Sequence, residues 1–246
     1  MYDQAQSAQR ATQATNIKVY GDGASLEEFA KLYQSGTAAG FTTNPTLMKK
    51  AGVTDYVGFA HDLLRLIPDR SVSFEVFSDD FWEMERQARL IASWGENVYV
   101  KIPITNTKGE SSLPMVRRLA ADGIKLNVTA LLTLEQTAQT IEALSADTPA
   151  IVSIFAGRIA DTGLDPMPVI RAAVALTVLK PKAEILWAST REVLNIYQAQ
   201  ECGCHIITAP ADIVKKLSMA GQDLAALSLE TVAMFRRDAV AAGYEL

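Results

Sequence analysis

Cysteine and histidine are almost missing from this 246-residue chain, which carries two of each. Cys202 and Cys204 are one residue apart, too close to staple distant segments, so a disulfide framework is excluded and a reducing compartment fits. His61 and His205 alone give little material for a histidine-based metal centre or triad, and no metal is expected. No apolar run approaches the ~20 residues that a bilayer span requires. The polar start, MYDQAQSAQRATQAT, lacks the apolar stretch of a signal peptide. A cytoplasmic protein without membrane contact is expected. Positive charge is scarce too: 23 Lys and Arg against 28 Asp and Glu leave a formal charge of -5, the wrong sign for a nucleic acid partner.

What is present is apolar and regular. A chain that is 49% hydrophobic can offset its ordering entropy by burial, which excludes disorder. At this length a compact fold hides roughly 70 to 75% of the surface of the unfolded chain, enough to dispense with staples. After a polar extension over residues 1–16, short β-branched or apolar runs alternate with turns and helical patterns. Eight strands are predicted: Ile17 to Tyr20, Gly40 to Thr43, Val72 to Phe77, Val98 to Pro103, Lys125 to Thr129, Ala150 to Phe155, Glu184 to Ala188 and Cys204 to Thr208. Helices follow each. Ser25 with Glu28 makes a capping box, Thr54 and Asp55 open a helix, and others are predicted over 80–93, 112–121, 133–144, 166–179 and 190–200, with two closing helices after Pro210 and Ser228. With no linker or composition break, residues 17–246 read as one α/β domain. Its size suits a (β/α)8 TIM barrel with an additional C-terminal helix, but a doubly wound open sheet would show the same alternation.

Side-chain alternation adds a functional signal, because residues two apart in a strand share a face. In VYVKIP, Lys101 shares its face with Tyr99 and Pro103, opposite Val98, Val100 and Ile102. In VSFEVF, Ser73 and Glu75 oppose Val72, Phe74 and Val76. Asn127 pairs with Thr129, Ser153 with Phe155, and the first strand leads to Asp22. Such polar groups at the carboxyl ends of several strands are what a barrel active site needs and what a packed core avoids. Lys101 is central, with three strand residues before it and two after it. Two readings of it stay open. A desolvated lysine becomes a neutral amine that attacks carbonyl carbon, with Asp22 and Glu75 moving protons; or it forms a buried ion pair with a carboxylate and does no chemistry. Lysines on helices are read as solvated charges.

The strings GFTTNPTLMKKAG, VYVKIPIT, KLNVTALLTLEQ, VSIFAGRIADTGLD and ILWASTRE resemble, in order and spacing, the successive strand-end motifs of the transaldolase family, from Ile17 to Ala211. The resemblance implies a class I aldolase-type barrel that needs no cofactor, with Lys101 forming a Schiff base with a ketose donor. It implies Asp22 as general acid/base, Asn44 as a holder of substrate hydroxyls, and Glu75 with Thr129 as the pair that positions a water. Asn127 and Ser153 match further hydrogen-bonding positions, and Arg158, Ser189 and Arg191 match an anion clamp for a sugar phosphate. Relatives acting as fructose 6-phosphate aldolases tend to have Gln in place of Glu75 and Tyr in place of Phe155, so the pair seen here resembles the transferring branch. Gly23, Ile154 and Thr190 depart from the family pattern and bear on pocket shape and the clamp, leaving sulfonated or unphosphorylated ketoses open as donors.

Competing readings are weaker. GDGASL lacks the third glycine of a dinucleotide fingerprint, its place being taken by Leu26. Cys202, Cys204 and His205 suggest a metal, but a strand alternates their directions and no second cluster exists. A binding-only barrel and a phosphate-binding isomerase remain as other classes. The closing helices carry Leu227, Leu229, Val232, Phe235 and Val240. This surface either packs on its own barrel or, as the resemblance implies, reaches a neighbouring subunit in a homo-oligomer such as a pentamer or decamer.

Overall fold

The computed structural model describes residues 16–246, so the extension ahead of Asn16 lies outside the described residues. Eight parallel strands close into a barrel: β1 (Lys18–Asp22), β2 (Gly40–Thr42), β3 (Ser71–Glu75), β4 (Val98–Pro103), β5 (Leu126–Leu131), β6 (Ala150–Ile154), β7 (Ala183–Trp187) and β8 (Ile206–Pro210). Closure is set by β1, which pairs with β2 through Tyr20 and Gly40 and with β8 through Lys18 and Ile206. The open-sheet alternative is thereby removed.

The α-helices are α1 (Leu26–Gln34), α2 (Pro45–Lys50), α3 (Tyr56–Leu66), α4 (Phe81–Ala92), α5 (Leu113–Ala121), α6 (Leu134–Ala143), α7 (Ala156–Asp161), α8 (Met167–Leu176), α9 (Leu194–Glu201), α10 (Ala211–Lys216) and α11 (Leu224–Ala242). Side-chain caps start several of them. Ser25 accepts from the Glu28 amide, Asp55 from Gly58 and Asp80 from Glu83, each satisfying an amide with no helical partner. The reciprocal capping box forms at Thr133 and Gln136. The last helix begins earlier than its apolar residues suggest, because Asp223 caps it at Ala226. The helix after β7 begins later, at Leu194, which leaves Ser189 to Arg191 in a loop over the barrel mouth. The short α2 and α7 stand directly after strand ends, inside TTNPT and FAGRIAD.

Alternation sorts the strand side chains as anticipated. Val98, Val100 and Ile102 join the core between barrel and helices, together with Phe41, Phe74, Ile154 and Trp187. The opposite faces point inward, where Tyr20, Ile151, Leu186, Ala188 and Ile206 form a separate cluster with Tyr99 and Phe155 against it. Gly40 makes room for this plug, since a Cβ there would stand 2.5 Å from the Tyr20 ring and from Ser71 Oγ. Tyr20 accepts a hydrogen bond from Ser71 at 2.7 Å, and burial raises its hydroxyl to a pKa of about 12. The plug fills the lower barrel and leaves the carboxyl end to polar groups.

Cys202 and Cys204 are both buried and free. Cys204 donates to the Ile185 and Ile206 carbonyls and burial pushes its thiol up to about 12, while His205 accepts from the Ile185 amide. These groups are satisfied within the fold. Among the described residues no helix is long and apolar enough to cross a membrane.

At the mouth, Gly157 in α7 passes so close to the loop after β7 that a Cβ would lie 1.6 Å from the Ser189 carbonyl oxygen. Neither backbone can yield independently, because the Gly157 amide donates to the Ala188 carbonyl at 3.3 Å. Gly157→Ala is expected to lower the denaturant midpoint, at a cost of ~1 to 3 kcal/mol. Gly23→Ala, whose nearest neighbour would be 3.4 Å away, is the control expected to change little.

Candidate active site

A cavity of about 600 Å³ opens at the carboxyl end of the strands. Its floor and walls carry Asp22, Thr42, Glu75, Lys101, Thr129 and Ser153, and its mouth carries Asn44, Phe155, Arg158, Ser189 and Arg191. Six strands and three connections therefore converge on one space.

Lys101 is 6% exposed. Its Nζ lies 3.2 Å from Glu75 Oε2 and donates to the Thr43 carbonyl at 3.3 Å. The two side chains face each other because Glu75 on β3 and Lys101 on β4 are register partners. Interiors are close-packed, so a purely structural pair would be surrounded by side chains; this one borders open space. The cavity favours chemistry over the inert ion pair.

Asp22 closes the other side. Thr42, its register partner on β2, donates to Asp22 Oδ1 at 2.8 Å and contacts Thr208 Oγ1 at 2.5 Å. Burial raises the Asp22 carboxyl above its ordinary 3.8; Lys101 and the Thr42 hydrogen bond pull it down in part, and Glu75 pushes it up. A carboxyl poised this way can both take and return a proton.

Thr129 Oγ1 is buried and has no hydrogen-bond partner among the described residues. An orphaned hydroxyl costs free energy in a core, but on a cavity wall it can receive a water or substrate hydroxyl. The next residue, Ala130, has φ 64° and stands where the β5 register shifts. Ser189 has the same φ of 64°. A left-handed non-glycine residue costs ~1 to 2 kcal/mol, and both instances line this cavity.

Other residues sit less directly. Asn127 does not line the cavity: it lies beneath, donating to Ser73 Oγ at 3.0 Å and accepting from Ser153 Oγ at 2.7 Å. It braces β3, β5 and β6 below the floor. Asn44 is the N-cap of α2, its Oδ1 accepting from the Leu47 amide at 2.9 Å, so only its NH₂ remains to donate into the cavity. Arg158 stacks over Phe155 with 5.6 Å from its guanidinium carbon to the ring centroid. Arg191 is held by Asp161, through Nε at 3.2 Å and through a second bond from Nη2 to the other carboxylate oxygen.

The three departures from the family pattern separate. Ile154 belongs to the helix-facing core, and neither it nor Gly23 lines the cavity. Thr190 does, but its hydroxyl is spent on the Thr208 carbonyl at 2.7 Å. Of the three, only Thr190 lines the cavity directly. Thr42, Thr208 and Lys50 were not singled out from sequence. Thr42 was legible in principle, as the first residue of the conspicuous TTNP string. Lys50 was not, because a lysine on a helix is ordinarily solvated.

A family profile described as "Transaldolase/Fructose-6-phosphate aldolase" matches residues 19–245. A "Probable transaldolase" of Dehalococcoides mccartyi is 34% identical over 202 residues, covering 82% of this chain and 90% of the relative. A "Probable transaldolase 2" of Listeria monocytogenes is 35% identical, covering 82% of this chain and 88% of the relative. Among solved structures, "QR15, an Aldolase" aligns with a TM-score of 0.53 at 12% identity, covering 82% of this chain and 93% of that one. The beta-methylaspartase of Clostridium tetanomorphum aligns at 0.55 and 13% identity, covering 86% and 60%. At such identities these two structures speak to the barrel alone.

The raised Asp22 carboxyl carries a stability consequence. A group whose folded pKa is raised favours the fold below its unfolded value, and that contribution is lost as pH rises through the folded value. Near neutrality the buried carboxylate therefore weakens the fold. Asp22→Asn is expected to raise the unfolding midpoint at pH 7.5, with the gain shrinking as pH falls toward 3.8, measured by urea titration across that range.

Proposed function

The chain belongs to the transaldolase/fructose-6-phosphate aldolase family, and on that premise we propose that it is a transaldolase, moving a dihydroxyacetone unit from a ketose phosphate such as fructose 6-phosphate to an aldehyde acceptor. One observation carries the reading: a buried lysine, Lys101, borders a cavity of about 600 Å³ that two carboxylates, Asp22 and Glu75, also line.

Glu75 takes a proton from the Lys101 ammonium beside it, the freed amine adds to the keto carbon C2, and Glu75 returns the proton to the departing hydroxyl, so that water leaves and an iminium forms. Asp22 takes the proton of the C4 hydroxyl while the C3–C4 electron pair moves into the iminium. An aldehyde departs and an enamine stays on Lys101. The enamine carbon attacks the acceptor aldehyde, Asp22 returns its proton to the new C4 oxygen, and water releases the product ketose. Glu75 and Thr129 hold the water that leaves and returns. Asn44 and Ser153 hold hydroxyls, and Arg158, Ser189 and Arg191 receive the terminal anion. No cofactor takes part, because the iminium is itself the electron sink. Transfer is favoured over release because Phe155 has no hydroxyl with which to protonate the enamine.

We assign α11 to a homo-oligomer. None of its residues is buried; Leu227 is half-buried, and Leu229, Val232, Phe235 and Val240 are each 59% exposed or more, which supports a role for them other than packing on their own barrel. An apolar face of this extent fits a second copy of the chain, a pentamer or decamer by analogy with the family.

Borohydride with fructose 6-phosphate is expected to trap a covalent adduct that peptide mapping places on Lys101, and Lys101→Met should form none. An adduct on the variant, or none on the wild type, sinks the reading. Aldehyde release should require an acceptor; release at the same rate without one means an aldolase, and trapping without any release means a binding-only barrel. Asp22→Ala should trap normally yet lower kcat by roughly 10² to 10⁴-fold. A light-scattering mass of one protomer would remove the oligomer, whereas loss of assembly on deleting residues from Asp223 onward would support it.

A further inference from the structure

Three side chains that line the cavity form a hydrogen-bonded row: Thr208 on β8, Thr42 on β2 and Asp22 on β1. Both threonines are buried. Thr42 Oγ1 lies 2.8 Å from Asp22 Oδ1 and 2.5 Å from Thr208 Oγ1. The strands dictate the arrangement. β1 runs between β2 and β8, Thr42 is the register partner of Asp22, and Thr208 is that of Tyr20, which shares the inward face of β1 with Asp22 two residues on. The Thr208 carbonyl is in turn fixed by the Thr190 hydroxyl at 2.7 Å.

Counting hydrogens gives the row a direction. A threonine hydroxyl has one hydrogen to give and an ionised carboxylate has none. With Asp22 ionised, the Thr42 hydrogen goes to Oδ1, and the contact between the two hydroxyls is satisfied only if Thr208 donates to Thr42. Reversal would place the proton of a neutral Asp22 on Oδ1 and turn the Thr208 hydrogen out of the row, where no described residue accepts it. Asp22 Oδ2 receives no hydrogen bond from any described residue. We propose that Thr208 is a positioning residue for the proton transfer: acting through Thr42, it keeps Asp22 Oδ1 an acceptor in both protonation states, so that the C4 proton is taken up and returned at Oδ2. The inference rests on the proposed transaldolase reading and deepens it. Thr208 itself moves no proton. The charged groups that act on Asp22 are Lys101 on β4, which favours its ionised form, and Glu75 on β3, which opposes it, while Lys50, Arg158 and Arg191 line the same cavity. Removing a threonine hydroxyl alters none of these charges, so a change in the ionisation of Asp22 reports the row.

The test follows single-turnover aldehyde release from fructose 6-phosphate as a function of pH. It uses the full-length protein, with rates expressed per Lys101 trapped by borohydride so that only folded sites are counted. Thr42→Val, which takes a hydrogen bond from a carboxylate, is expected to slow release by roughly tenfold to a hundredfold, and Thr208→Val, which takes one from a neutral hydroxyl, by roughly threefold to tenfold. In both, the rising limb of the pH profile should move upward, because the base works ionised and has lost support for that form. The fructose 6-phosphate concentration that half-saturates trapping should not change, since the Schiff base forms before Asp22 acts. Thr208→Ser should restore both rate and limb, and Thr208→Ala should repeat the effect of Thr208→Val. The double variant should be no slower than Thr42→Val alone, as expected of residues in one chain. An unmoved limb in both Thr208→Val and Thr208→Ala, additive losses in the double variant, or weaker trapping in place of slower release would overturn the proposal while the adduct on Lys101 still stands. Absence of any adduct in the wild type would instead defeat the underlying transaldolase reading.

Discussion

The Lys101 and Glu75 side chains meet at 3.2 Å inside a barrel, and most of the surrounding architecture follows from keeping that pair both buried and reachable. Removing two charged groups from water is costly unless each finds partners. The Thr43 carbonyl supplies one, and Asp22 lies across the cavity from the pair as a further carboxylate. Below, the apolar plug of Tyr20, Ile151, Leu186 and Ile206 closes the barrel, and Asn127 links Ser73 to Ser153 in a hydrogen-bonded belt. Belt and plug hold the floor rigid, so that the pair faces upward into open space.

Other features at the mouth cost stability for position. Ala130 and Ser189 adopt a backbone conformation that side chains disfavour, Thr129 keeps an orphaned hydroxyl, and burial raises the Asp22 carboxyl above its ordinary range. In a purely structural barrel each would be relieved by an ordinary substitution. Their gathering around one cavity, with Gly157 packed against the Ser189 carbonyl, is more economically explained by chemistry than by folding.

The strand faces were readable from sequence because a period of two is a local property: Val98, Val100 and Ile102 must face the helices if Tyr99 and Lys101 face inward. Closure was not, since pairing of β1 with β8 joins segments about 190 residues apart and leaves no local pattern. The same limit governs the site. Asp22, Glu75 and Lys101 stand out as polar residues in apolar strands. The committal of Arg191 to Asp161 and the descent of Asn127 below the floor depend on distances across the barrel. Lys50 was hidden because a helical lysine is ordinarily solvated, and this one is exposed even as it lines the cavity. For α11, apolar content alone could not separate packing inward from facing outward, and its exposure supports the second.

The central claim is that the Lys101 nitrogen leaves Glu75 to bond a keto carbon. A crystal structure of the protein soaked with fructose 6-phosphate tests it most directly. The account predicts continuous electron density from Lys101 Nζ to C2, with Asp22 near the C4 oxygen and the phosphate at Arg158, Ser189 and Arg191. A ketose bound in the cavity without that bond, and Lys101 still paired with Glu75, would contradict it.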